Sequence, residues 1–395
     1  MARERFAHAL MEATSLKVCK SCGSELGDLA LFCHVCGASQ KQASPKSLPK
    51  MPIVSIALLM IGLIVGFGVG SALYVAFQRP ATKAASTEQI AFRFDDVGDP
   101  YRDSIMPFLR FALDRNMKVA LAIIAGDISN QDLVNLIEAG VKKGIFEVAI
   151  HGWHHEDLTI PGTDVTFIIQ MSINRLQSLF PGASISTLIT PYQAVSDDVL
   201  NAAHIKGLTY VSGDLDYGEP FDRSDGMKYR PATVGTAWID YPAGAWHEFD
   251  LPSIKADIAF SFQAYGHAMV LFHPQQFQTT RSFDQTKFDL VRDLVMWAQT
   301  RMTTMRIDEL STVNLGPKEL RVNLLANSAL QTIILAKKAA NLHTQTNQST
   351  WELAKAEDEF NKGIQYQAFG QHDEAIAHYR SAAKHADMSM QLLRL

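Results

Sequence analysis

Short apolar runs alternating with amphipathic stretches fill residues 88–310, and this pattern restricts the region to one class of architecture. The runs Ile90–Phe94, Val119–Ile124, Phe146–Ile150, Ile185–Ile189, Thr209–Ser212 and Met269–Phe272 are strand candidates. Between several of them lie helix-patterned segments, Ile105–Arg115, Gln131–Lys143, Thr166–Phe180 and Asp197–Lys206, and Asp284–Gln299 reads as a final long helix. Alternation of this kind predicts a parallel sheet, open or closed into a barrel, with catalytic groups collected at the C-terminal ends of the strands.

The rest of the chain divides around this region. At 395 residues with 47% hydrophobic content, the protein can bury a large core and still carry smaller modules. Lys and Arg total 36 against 41 for Asp and Glu, and the resulting charge of −5 gives no electrostatic case for nucleic acid as a partner. All the cysteines fall near the N-terminus as Cys19-Lys20-Ser21-Cys22-Gly23 and Cys33-His34-Val35-Cys36-Gly37. Paired knuckles of this spacing supply the four thiolates that a structural zinc prefers, so residues 1–40 are expected to form a zinc ribbon, followed by a linker over 41–50. Such ribbons commonly mediate contacts with protein partners.

From Met51 to Phe77 the chain is apolar and carries no charge, which predicts a single transmembrane helix over 51–77 and a second linker over 78–87. Lys41, Lys46 and Lys50 before the stretch, against Arg79 and Lys83 after it, predict a cytoplasmic N-terminus and an extracytoplasmic barrel in the cell membrane. Residues 315–395 lack strand patterns. Ala356, Phe360, Gly363, Tyr366, Gly370, Ala375, Ile376, Tyr379 and Ala382 stand at spacings that resemble one tetratricopeptide repeat, read here as a packing helical hairpin that offers a second possible protein-contact surface.

The chemistry concentrates at strand ends. The first strand ends Phe94-Asp95-Asp96-Val97-Gly98; adjacent carboxylates on a strand point to opposite sides unless the backbone turns, which suits them to separate tasks. The third ends Ile150-His151-Gly152-Trp153-His154-His155, where a turn presents His151 and His155 on the same side. One carboxylate and two imidazoles with coordination positions left open suit a divalent cation that polarises a carbonyl and acidifies water, which points to hydrolysis.

These motifs resemble those of the polysaccharide deacetylase family, the NodB-homology or carbohydrate esterase family 4 group, over roughly residues 88–310. The resemblance implies an irregular (β/α)7-type, TIM-like barrel that removes acetyl groups from N-acetylated glycans with zinc or a similar ion. By position it implies Asp95 as general base, Asp96, His151 and His155 as metal ligands, and His273 of Phe272-His273-Pro274 as the acid that protonates the leaving amine. Base and acid on opposite sides of the carbonyl would complete the proton transfers. Trp153, Pro191, Tyr192 and Asp214 are the implied substrate-binding residues.

Departures from the family pattern are equally specific. Its third motif carries an arginine before the Pro-Tyr element that holds the base aspartate, whereas Ile189-Thr190-Pro191-Tyr192 has none; Arg93 and Arg230 are the candidate substitutes. The Asp-Trp motif is reduced to Asp214-Leu215-Asp216-Tyr217. Two alternatives therefore stand beside a deacetylase: a non-catalytic sugar- or surface-binding protein on the same barrel, and an assembly factor working through its ribbon and helices. The aromatic residues Trp153, Tyr192, Tyr217, Trp238 and Trp246 could serve either of the first two readings by stacking on sugar rings.

Overall fold

In the computed structural model, which describes residues 17–18, 25–26, 88–240, 244–279, 282–310 and 313–393, the chain divides into two units, residues 1–82 and 83–395. The described part of the first unit is a short antiparallel pair, β1 (Lys17–Val18) and β2 (Glu25–Leu26), with Lys17 opposite Leu26. The four cysteines and the 51–77 stretch lie outside the described residues. The single-pass placement predicted from sequence is corrected: among the described residues no helix is long and apolar enough to cross a membrane, and no membrane location is assigned.

The second unit begins with β3 (Gln89–Val97), followed by α1 (Arg102–Asp114), β4 (Val119–Ile123), α2 (Gln131–Lys142), β5 (Phe146–Ile150), α3 (Val165–Leu179), β6 (Thr187–Ile189), α4 (Asp197–Ile205) and β7 (Tyr210–Ser212). Short strands come next: β8 (Phe221–Asp222), β9 (Lys228–Tyr229), β10 (Val234–Gly235), β11 (Ala237–Asp240) and β12 (Ala245–Glu248). After them come α5 (Leu251–Tyr265), β13 (His267–Phe272), β14 (Gln278–Thr279), β15 (Ser282–Phe283), α6 (Gln285–Gln299) and β16 (Thr303–Met305).

The main sheet runs β10-β13-β3-β4-β5-β6-β7-β9-β8, with β16 on β3, and every pairing in it is parallel except β8 with β9. It curls into a barrel that backbone ladders do not close. The short segment from Arg230 to Thr233 spans the gap, where the Ala232 amide donates to Gly213 O (2.8 Å) and the Thr233 amide to Met269 O (3.0 Å).

Strand alternation in β3 sets the two faces. Ile90, Phe92 and Phe94 point outward into the core beneath the helices, where Phe94 stacks on Phe108 at 4.2 Å and Phe92 on Phe272 at 5.7 Å. Ala91 points inward and joins Ala120, Ala122, Ala149, Ile189 and Met269 in a separate inner cluster. The four alanines leave room inside the curl for the large Arg93 side chain, which is fully buried.

Glu147 is also on the inner face, two residues before Ala149. It accepts from the Thr187 hydroxyl and from the amides of Ile307 (2.7 Å) and Asp308 (3.3 Å), tying the 306–310 segment across the N-terminal mouth of the barrel. Burial first, and the nearby Asp308 charge second, push its carboxyl up to about 8, against the hydrogen bonds that favour the anion. A carboxyl raised on folding holds its proton in the native state after the unfolded chain has lost its own. This contribution to stability is therefore complete below the ordinary glutamate range and is lost as pH rises toward 8. The melting temperature should fall over that window in wild type and fall less in Glu147→Gln; parallel pH profiles for the two proteins would refute the assignment.

Three helices complete the unit: α7 (Lys318–Leu342), α8 (Asn347–Ala368) and α9 (His372–Gln391). They share a core with Leu215, Ala264 and Tyr265 of the barrel. Gly363 lets the Tyr379 ring lie against α8, since a Cβ there would come within 2.6 Å of it. Residues 347–391 form one helical hairpin packed on α7, and among the described residues nothing marks it as a tetratricopeptide repeat.

Candidate active site

The site is built where β3 loses its regular pairing. Its register with β4 breaks between Phe94 and Val97, and Asp96 sits at φ 54°. This turn answers the geometric problem of adjacent carboxylates: Asp95 keeps the inward direction of Arg93, while Asp96 is rotated toward the end of β5. Asp95 and Asp96 are both buried. Left-handed backbone is unfavourable for residues other than glycine, and His155 (φ 65°) and Tyr192 (φ 55°) adopt it in the same neighbourhood. Strain gathered at one place in this way marks a site whose side-chain positions matter.

Asp96 Oδ1 lies 3.1 Å from His151 Nε2 and 3.0 Å from His155 Nε2, and the three groups offer ligand atoms within 4.8 Å of one another. His151 Nδ1 is 2.8 Å from the Ile189 carbonyl. A carbonyl only accepts, so Nδ1 carries a proton, and without a second proton on the ring Nε2 turns its lone pair toward a carboxylate oxygen. Two lone pairs face each other at that distance only if a positive charge lies between them, from a proton or from a cation. The residues therefore fit a divalent metal: a nitrogen and oxygen donor set, a second-sphere carbonyl fixing one imidazole, and burial on one side.

Burial alone would raise the Asp96 carboxyl, but hydrogen bonds from His151 and His155, with the charges of His273 and His151, hold it well below the usual carboxylate range. Burial alone would lower His155, but the Asp96 bond and the charges of Asp96, Asp95 and Glu156 raise it. Glu156 also shapes the turn, accepting the amides of Trp153 (2.8 Å) and His154 (2.9 Å).

Arg93 clamps Asp95. Its Nε donates to Asp95 Oδ1 at 2.8 Å and its Nη2 to Oδ2 at 2.5 Å, a bidentate pair with both side chains buried. The remaining Nη1 donates to Ser212 Oγ (3.1 Å) and Gly213 O (2.9 Å). Arg230 does not reach Asp95; it pairs with Asp222 at 2.6 Å and serves the β8–β9 hairpin. Burial would raise Asp95, yet the charge and hydrogen bonds of Arg93, helped by His151 and His273, hold it below its ordinary value, so it is an anion at neutral pH.

His273 Nε2 is 4.0 Å from Asp95 Oδ2, closer than two groups flanking a substrate carbonyl from opposite sides. Asp95 is clamped by Arg93, whereas His273 Nδ1 is buried without a partner. Its ring rests on Trp246 at 4.6 Å. Burial pushes His273 below the usual imidazole range, offset in part by Asp96 and Asp95.

The other candidates are scattered around this centre. The Tyr192 ring lies 4.6 Å from that of His155 and is 62% exposed, the most open of them. Pro191 is buried, and a Cβ on Gly152 would come within 3.2 Å of its ring. Trp153 packs partly into the main core. Asp214 Oδ1 accepts from the amides of Asp216 (3.0 Å) and Tyr217 (3.3 Å), so that oxygen is committed to its own turn. Residues that sequence reasoning missed are Glu156, Gln275 and the role of Trp246 beside His273.

Comparison with known proteins finds similarity over part of the chain. Residues 82–211 match the family model of polysaccharide deacetylase. No curated protein matches the chain. Solved structures with a similar course include a family 4 acetyl xylan esterase from Clostridium thermocellum in complex with a cobalt ion (15% identity, covering 56% of this chain and 89% of that one, TM-score 0.39). Others are a family 4 carbohydrate esterase from Streptomyces lividans in complex with acetate (12%, 59% and 98%, 0.38) and a family 4 pseudoenzyme from Bacillus anthracis (14%, 59% and 66%, 0.38).

Proposed function

We propose that this protein is a metal-dependent hydrolase that removes acetyl groups from N-acetylated glycans. The observation that carries this reading is the Asp96, His151 and His155 donor set standing beside an Asp95 that Arg93 holds as an anion. Asp96, His151 and His155 would hold the cation, for which zinc is the natural choice given two imidazoles and one carboxylate. When bound, it supplies Lewis acidity toward an acetyl carbonyl and toward water.

The protein's own groups handle the protons. Asp95 accepts a proton from the attacking water as its oxygen bonds to the acetyl carbon. His273, in its protonated form, delivers a proton to the amide nitrogen as the carbon–nitrogen bond breaks, and the proton that Asp95 took from water then restores it, so that acetate and a free amino sugar leave. An amine cannot depart as an anion, which is why a second proton carrier is required. Tyr192, Trp153 and Trp246 offer ring surface for a sugar near these groups, with Pro191 and Asp214 shaping the wall. Arg93 supports the catalytic reading over a silent binding protein, because it supplies a bidentate clamp on Asp95 from two residues earlier on the same strand.

Asp95→Asn tests the reading. It should lower acetate release from N-acetylated oligosaccharides by about 10²–10⁴-fold, the span of general base contributions, while bound metal stays unchanged. Undiminished release would remove Asp95 from the reaction, and no release by wild type from any such substrate would end the proposal.

A further inference from the structure

Gln275 lies two residues beyond His273, on the short turn from Pro274 to Phe277. Its amide nitrogen donates to Asp96 Oδ2 at 2.6 Å. The two histidines face the other oxygen, Oδ1. The carboxylate is thus divided, with one oxygen turned to the imidazoles and the other tied to an amide on the opposite strand end. The Gln275 carbonyl Oε1 is buried without a partner. Flipping the amide would set that oxygen against the Asp96 anion, so the orientation is dictated by Asp96 and kept although it leaves an acceptor unsatisfied.

We infer that Gln275 is a positioning residue of the cation site, pinning Asp96 so that it presents a single oxygen between His151 and His155. The inference rests on the reading of those three residues as metal ligands. The imidazoles meet only Oδ1, so on this strained φ 54° backbone the Gln275 amide is what holds Oδ2 and sets the rotation of the carboxylate. Partners that orient a ligating carboxylate in this way typically change metal affinity when removed, even though they never touch the ion. Glutamine is suited to the task because it brings a donor without a charge, whereas glutamate would set a second anion against Asp96.

The test is zinc affinity of the full chain, measured by competition with a chromogenic chelator, with His151→Ala as the reference for zinc held elsewhere in the protein. Gln275→Met, which keeps the bulk and removes the donor, and Gln275→Ala should both bind the barrel zinc about 10–100-fold more weakly than wild type. Unfolding midpoints identify a variant that fails to fold, in which case the other decides. Wild-type affinity in Gln275→Met would overturn the inference, and so would weakening in Gln275→Ala alone, since that reports packing rather than the hydrogen bond. If wild type and His151→Ala bind zinc identically, it is the cation site itself that fails.

Discussion

Replacing Arg93 with alanine is expected to cost about 3–5 kcal/mol of unfolding free energy, the range for breaking a buried ion pair from one side, and to reduce acetate release to background. The loss comes less from the pair's attraction than from what remains. Asp95 is 1% exposed and would be left as a carboxylate with neither water nor a counter-charge in its plane. Ser212 Oγ and Gly213 O would lose their donor as well. Removing the acid too should recover part of the stability, so Arg93→Ala with Asp95→Ala is expected to be less destabilised than Arg93→Ala alone. Arg93→Lys keeps a charge but cannot present two parallel N–H groups, and should restore only part of either property. Denaturant unfolding of the four proteins checks this order. An Arg93→Ala midpoint within the small range of ordinary surface substitutions would show that the clamp holds nothing.

That pair was legible in the sequence by a signal that is easy to overlook. Residues two apart on a strand share a face, so Arg93 had to point the same way as Asp95, whereas Arg230 had no such tie. The central strands were legible because both of their faces are buried, which produces unbroken apolar runs; Phe146–Ile150 ends where the pattern ends. The chain from 213 to 266 was not. Its strands are mostly two residues long, too short to show a period, and α5 blurs its own pattern by exposing Phe260 (42%) while burying Ser261. His151 and His155 could be paired from their spacing, but a local turn with His155 at φ 65°, not a helix, brings them together. Gln275 left no trace, because its partner Asp96 is 179 positions away and a glutamine after a proline is ordinary turn chemistry.

If Asp96, His151 and His155 hold the cation as proposed, the two histidines should not contribute equally. His151→Ala is expected to lower affinity for the barrel cation by more than about 100-fold, beyond the usual effect of second-sphere deletions, and to abolish acetate release. His151 is 1% exposed and its Nδ1 is fixed on Ile189 O, so its removal opens a buried space and orphans a carbonyl on β6. His155 has a side chain 26% exposed and is held on the open side of the site, where water can take the vacated position. His155→Ala should therefore bind the cation more weakly than wild type but more tightly than His151→Ala. Chelator competition on the three proteins measures the order directly. The reverse order would mean that the fixed imidazole is not the anchor of the site, and identical affinities in all three proteins would mean that the contact to Asp96 at 3.1 Å is bridged by a proton instead of a metal.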